Sequence, residues 1–362
     1  MGNRIWNFNP GPATLPLPVL ERMKIDLPDY AGTGMAVMEL SHRSKEYSAI
    51  HNDTKALLTE LFHIPPNYKI LFLQGGASLQ FAMVPMNLLK ANASANYINT
   101  GSWSKKAIKE AKLFGKVNIA GSSEDKNFKT IPSAGSLKLD KKAVYCHITT
   151  NNTIAGTQWA EFPDTGSVPL VADMSSDILS RKMDVSKFGL IYAGAQKNLG
   201  PSGVTVVIIR DDLVEKSKTD IPTMMQYKIH VEKDSLFNTP PTYSVYVMKL
   251  VLEWVRKQGG LAAIEEENNE KAALLYAMLD THPDFYKGTV EEESRSKMNA
   301  TFRLPSEPLE EKFITEAKAE GFGGVKGHRS VGGIRISMYN AMPLEGIKAL
   351  TGFMKTFLKK NK

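Results

Sequence analysis

The chain has 362 residues, enough for one large domain plus a smaller one, and its 42% hydrophobic and 23% charged composition excludes a disordered or low-complexity polymer. The net charge of +7 is dispersed, with no basic stripe interleaved with aromatics, so small anions are the expected partners and nucleic acid is not. A single cysteine, Cys146, excludes a disulfide framework; seven scattered histidines argue against a metal site, and no apolar run is long enough to span a bilayer.

Met1-Gly2 lacks the Ser or Thr at the sixth position that myristoylation wants, and Pro-rich sequence follows before a signal-peptide core can form, so a cytoplasmic protein is expected. Asn9-Pro10-Gly11-Pro12 reads as an extended arm. Helices are predicted over 18–26 and 45–62, the second stopping before Pro65-Pro66. The apolar run 69–73 reads as a buried strand, Gln74-Gly75-Gly76-Ala77-Ser78 as a tight turn, and 79–89 as a helix. Further strands are expected at 95–99, 116–120, 143–148, 169–173, 190–193 and 204–209, with a helix over 104–113. Strands alternating with helices imply an α/β domain with a mainly parallel sheet covered on both faces. After Arg210 the pattern changes. Helices over 242–257, 261–280, 311–320 and 344–359 and strands over 299–304 and 333–337 predict a small α+β domain. The expected division is 16–258 for the large domain, with 1–15 and 259–362 forming the smaller one.

Four features carry chemistry. Lys197 stands just past the run 190–193 amid small neutral residues, where partial desolvation would lower its pKa and make it nucleophilic toward an aldehyde; a surface loop lysine has the same spacing. Asp173 closes the apolar run 169–173 and, if buried, needs a cationic partner such as a protonated pyridine nitrogen; it also suits a helix cap. The turn at Gly75-Gly76-Ala77-Ser78 offers helix N-terminal amides and a hydroxyl that suit a phosphate. Trp103, just after a strand, can stack on a flat ring or pack in the core. Each is weak singly. In order, each follows a strand, and ligands of open α/β sheets bind at carboxyl ends of strands, so all four converge on one crevice.

Segments spread over essentially the whole chain resemble phosphoserine aminotransferases, which have the fold type I architecture of pyridoxal-phosphate (PLP) enzymes. These are Phe8-Asn9-Pro10-Gly11-Pro12-Ala13, Glu39-Leu40-Ser41-His42-Arg43, Tyr192-Ala193-Gly194-Ala195-Gln196-Lys197-Asn198, Phe237-Asn238-Thr239-Pro240-Pro241-Thr242, Gly327-His328-Arg329-Ser330-Val331-Gly332-Gly333-Ile334-Arg335 and Tyr339-Asn340-Ala341-Met342-Pro343. The resemblance implies a seven-stranded sheet in the large domain, pyridoxal 5'-phosphate as cofactor, and a homodimer with shared active sites. It implies amino transfer from L-glutamate to 3-phosphohydroxypyruvate, with 4-phosphohydroxy-L-threonine as an open further product. By resemblance Lys197 holds the cofactor as a Schiff base and Asp173 pairs with the pyridine nitrogen. Trp103 stacks on the ring, Thr153 meets the ring hydroxyl region, and Ala77, Ser78 and Gln196 lie at the phosphate. Asn238 and Thr239 reach that phosphate from the neighbouring subunit. Arg335 takes the substrate α-carboxylate, and His42, Arg43, His328 and Arg329 take the distal phosphate or carboxylate. Some members carry an arginine in the Gly-rich turn where this sequence has Ser78, which shifts phosphate recognition onto those four residues. A PLP enzyme for another substrate is the first rival; the Gly-His-Arg segment would be idle in it. A nucleotide-binding protein is a second, lacking both Gly-rich nucleotide motifs. A nucleic-acid module is a third.

Overall fold

The structure, a computed structural model, describes residues 4–362; Met1, Gly2 and Asn3, with the Met1-Gly2 reading, lie outside the described residues. Seven strands form the main sheet: β1 Tyr68–Leu73, β2 Ser94–Asn99, β3 Lys116–Ser122, β4 Cys146–Thr149, β5 Leu170–Asp173, β6 Phe188–Gly194 and β7 Thr205–Arg210. Their order across the sheet is β1-β7-β6-β5-β4-β2-β3. Only β7 runs antiparallel to its neighbours; β6, β5, β4, β2 and β3 are mutually parallel.

The inner strands are apolar because both faces are covered, whereas the edge strand β3 is largely half-buried or exposed. All seven residues of β6 are buried. Ile191 and Ala193 enter one core with Val206 and Ile208, against α1 (Leu17–Asp26), α2 (Lys45–Phe62) and α7 (Thr242–Lys257). Leu190 and Tyr192, pointing the other way, enter a second core with α3 (Gly76–Leu88) and α4 (Ser102–Ala111).

Three boundaries differ from expectation for local reasons. Helix α3 starts at Gly76, not 79, because Gly75 takes the left-handed conformation at the N-cap, where a Cβ would stand 2.6 Å from Leu79. Strand β4 starts at Cys146, not 143, because the Ala143 N–H closes a turn on the Asp140 carbonyl at 3.1 Å. Helix α9 (Glu307–Ala319) begins before 311, since Pro308 occupies its first turn, where a missing N–H costs nothing. Two short helices, α5 (Asp211–Lys216) and α6 (Tyr227–Glu232), fall in a stretch with no predicted element.

A second, smaller sheet of β8 (Lys287–Gly288), β9 (Asn299–Arg303) and β10 (Ile334–Ser337) is antiparallel. It packs with α9, α10 (Leu344–Asn361) and the later turns of α8 (Gly260–Thr281) around Phe302, Phe313 and Phe357. Helix α8 serves both bodies: Leu261 and Ile264 lie in the first core, Ala272, Leu275 and Leu279 in the smaller one. The arm is extended as expected. Trp6–Asn7 pairs in parallel with Phe322–Gly323, and Phe8 fills the smaller core. Among the described residues no helix is long and apolar enough to cross a membrane, and no His, Cys, Asp and Glu cluster would hold a metal.

Candidate active site

Strand β6 ends at Gly194, and the chain turns at once: the Leu199 and Gly200 N–H groups both bond the Ala195 carbonyl, at 3.1 and 2.9 Å. That turn presents Lys197. Its Nζ donates to Thr153 Oγ1 at 2.7 Å and lies 5.9 Å from the centre of the Trp103 indole. Burial pushes the amine from 10.5 down to about 8; Asp173 opposes the shift and Arg335 adds to it.

Asp173 closes β5, beside Tyr192 of β6 in register. It is buried, and its Oδ1 accepts the Ser175 N–H at 2.9 Å. Burial raises its pKa, while Ser175 and the Lys197 charge pull it back. No cationic side chain bonds it among the described residues. The Asp173 carboxylate and the Lys197 amine nonetheless feel one another's charge.

Thr153 sits in the turn of a small hairpin in which Asn151–Asn152 pairs with Thr157–Gln158. Its hydroxyl takes the lysine, and its carbonyl accepts Arg335 Nη1 at 3.4 Å. Arg335, on β10, is 6% exposed, and its Nε has no partner. Burial lowers its pKa, partly offset by Tyr339. A buried guanidinium with an idle donor is costly unless an anion arrives. Trp103 sits at the start of α4, and its buried Nε1 is likewise unpaired.

The N-terminal arm lies over the lysine. A Cβ on Gly11 would stand 3.3 Å from Lys197 Cγ, so nothing larger than glycine fits there without displacement. The Ala13 N–H bonds the Gln196 carbonyl at 2.9 Å, and the Pro10 carbonyl accepts the Tyr339 hydroxyl at 2.8 Å.

Lys197, Asp173, Thr153, Trp103 and Arg335 are thus brought together. Ala77 and Ser78 stand in the first turn of α3, whose Phe81 ring is 6.5 Å from that of Trp103. Gln196 stands beside Lys197, folded under Gly194. Asn238 and Thr239 adjoin the foot of the Gly-rich turn: Asn238 Nδ2 donates to Gln74 Oε1 at 3.2 Å, and Gln74 Nε2 to the Thr239 carbonyl at 3.1 Å. His328 and Arg329 lie in the loop before β10, which borders a cleft of about 570 Å³ also lined by Ser102, Ile154 and Arg335. Burial lowers the His328 pKa, and the charges of Arg335, Arg329 and Lys106 lower it further. His42 and Arg43 precede α2, and no hydrogen bond or ion pair joins them to the Lys197 cluster within the chain.

Two lysines escaped the sequence reading. Lys106 lies 4.2 Å from the centre of the Trp103 ring and adds positive charge beside His328; its i+3 spacing from Trp103 on α4 was the available signal. Lys271 of α8 is fully buried and donates to the Tyr339 and Met342 carbonyls at 3.0 and 2.9 Å. Asn340 of that segment bonds through its N–H to Asn198, next to Lys197, at 3.0 Å. A lysine in a charged helical stretch gives no sign of such burial.

The aminotransferase class-V family model matches residues 5–350. The chain belongs to the class-V aminotransferase family. It is 58% identical to a phosphoserine aminotransferase of Desulfosudis oleivorans over 363 residues, spanning all of both chains. Its fold superposes with a TM-score of 0.98 on the phosphoserine aminotransferase of Bacillus circulans subsp. alkalophilus, at 53% identity and full coverage of both. A PLP-bound phosphoserine aminotransferase from Trichomonas vaginalis matches with a TM-score of 0.93, 38% identity, and 97% and 100% coverage. The seven-stranded, mainly parallel sheet beside a smaller α+β body is the fold of these aminotransferases, and in this class-V member Lys197 comes three residues after the end of β6.

Proposed function

We propose that this class-V aminotransferase is a phosphoserine aminotransferase using pyridoxal 5'-phosphate to exchange an amino group between L-glutamate and 3-phosphohydroxypyruvate. The observation that carries this reading is the half-buried Lys197, whose desolvated amine is depressed to about 8 and held on Thr153 beside Asp173 and Trp103. Full-length similarity to enzymes of that name supports the substrate pair.

The chain's own residues fit the cofactor. Asp173 is buried without a cationic hydrogen-bond partner, and Trp103 Nε1 is buried without any. A protonated ring nitrogen answers the first need, and a flat ring suits the indole face. Lys197 would hold its aldehyde, Thr153 its ring hydroxyl, and Ala77, Ser78 and Gln196 its phosphate, with Asn238 and Thr239 reaching that phosphate from the neighbouring subunit. When bound, pyridoxal phosphate supplies an electrophilic aldehyde and a ring that draws electron density from the substrate α-carbon. The Lys197 amine, when free, would take the substrate α-proton onto Nζ, a task suited to an amine with a depressed pKa. Arg335 orients the substrate by its α-carboxylate, since its guanidinium is otherwise unpaired by any carboxylate. His42, Arg43, His328 and Arg329 receive the tail, which is a phosphate on one substrate and a carboxylate on the other; guanidinium forks serve both.

We further read the active form as a cytoplasmic homodimer. Phe237, 44% exposed, stands next to Asn238, which supports a subunit contact there. The division into 16–258 and 1–15 with 259–362 would let the smaller body carry Arg335 and His328 toward Lys197.

Absorbance of the purified protein tests the whole. A visible band should shift on adding L-glutamate and return on adding 3-phosphohydroxypyruvate. A colourless protein sinks the cofactor assignment; return that is faster with pyruvate or glyoxylate sinks the substrate assignment.

A further inference from the structure

The backbone beside the Gly-rich turn is held in an uncommon shape. Asp234 and Ser235 stand consecutively at φ +49° and +63°, the left-handed region that residues other than glycine avoid. They close the end of α6: the Ser235 N–H bonds the His230 carbonyl at 2.7 Å, and the Asp234 N–H bonds that of Val231 at 3.2 Å.

Two sets of ties hold this reversal from opposite sides. On one side the Asp234 carboxylate meets α2. Lys55 Nζ bonds its Oδ1, and the buried His51 Nε2 lies 3.3 Å from its Oδ2, an ion-pair distance without hydrogen-bond alignment. These two partners, four residues apart on one helix face, hold the carboxyl well below the usual carboxylate range. On the other side Ser235 Oγ accepts the Phe72 N–H at 3.0 Å, on the free edge of β1. Two residues after Phe72 comes Gln74, which bonds both Asn238 and Thr239. The segment 234–239 is thus pinned to α2 at its start and to the strand leading into Gly75-Gly76 at its end.

We propose that Asp234 is a positioning residue for cofactor binding: clamped between His51 and Lys55, it fixes the left-handed reversal that sets Asn238 and Thr239 where they meet the cofactor phosphate of the neighbouring subunit. The inference rests on the reading that Asn238 and Thr239 contact that phosphate. Asp tolerates the left-handed region better than most side chains, and its carboxylate gives the reversal an anchor that glycine would not. Without the anchor the segment relaxes toward right-handed backbone, Asn238 and Thr239 lose their tie to Gln74, and the two donors no longer reach the phosphate held in the neighbouring subunit.

The test compares pyridoxal 5'-phosphate with pyridoxal, which has the same ring and aldehyde but no phosphate. Both are titrated, by fluorescence quenching, into the full-length protein stripped of cofactor. In the unaltered protein the phosphate improves affinity. Asp234→Ala should lower that improvement roughly tenfold, the size of a lost hydrogen bond to a charged group, while leaving pyridoxal affinity unchanged. Asn238→Ala should do the same. If Asn238→Ala lowers the improvement and Asp234→Ala does not, the clamp plays no part and the proposal is overturned. If neither does, Asn238 does not serve the phosphate, and the underlying reading fails with it. Should Asp234→Ala not fold, Lys55→Met removes one arm of the clamp from a partly exposed position and must lower the phosphate improvement several-fold; no change overturns the proposal.

Discussion

The two halves of the site are built differently. Lys197, Asp173, Thr153 and Trp103 stand at or just beyond strand and helix ends, Asp173 and Thr153 buried and Lys197 and Trp103 half-buried, with the lysine and aspartate pKa values displaced by their surroundings. His42, Arg43, His328 and Arg329 stand on loops, half-buried or exposed. A proton-transfer amine needs a fixed, dry environment to keep its pKa near the working pH. A group that greets a phosphate in one half-reaction and a carboxylate in the other gains from reach and adjustability. The contrast predicts large losses from changes in the first half and graded, salt-sensitive losses from the second.

Lys197→Ala tests that contrast most severely. Turnover with L-glutamate and 3-phosphohydroxypyruvate should fall by about four orders of magnitude, the upper range for a lost general acid–base. Turnover within tenfold of the parent would move the proton transfer to another group. Asp173→Asn comes next. Replacing a buried charge by a neutral isostere should lower kcat by roughly 10²–10³-fold, the cost of leaving a buried cation without its partner. An unchanged kcat would mean that Asp173 is only a structural cap on the Ser175 N–H. Arg329→Ala should raise KM for the phosphorylated substrate by about tenfold with little change in kcat, and the penalty should shrink as salt rises. A salt-independent loss of kcat instead would place Arg329 in the buried half. The subtlest test is a pH profile. In cofactor-free protein the amine is neutral above about 8, so its reaction with an aldehyde should rise through a midpoint near 8, not near the ordinary 10.5. A depressed lysine holds fewer protons than the unfolded chain between those values, so stability should also climb over that window. A midpoint at 10.5 would show that the site is wet.

Much of the buried half was legible in the sequence because strand ends are legible. Apolar runs fix the strands, the residue just beyond each run falls at one edge of the sheet, and Asp173, Trp103 and Lys197 are such residues. What the sequence withheld depends on contacts between distant segments. Lys271 reads as one more charge in a polar helix until the segment from Tyr339 to Met342 folds over it. The left-handed pair at Asp234 and Ser235 has no glycine to announce it. The placement of Arg335 against Thr153 joins residues 182 apart in the chain, which no local pattern reports.

The arm over Lys197 ties together the oldest and youngest parts of a nascent chain. Pro10 cannot receive the Tyr339 hydroxyl, nor Trp6 and Asn7 find Phe322 and Gly323, until nearly the whole polypeptide has left the ribosome. The Ala13 bond to Gln196 asks for far less of the chain, so the arm is tied over the amine by one contact that can form early and by two that can form only late.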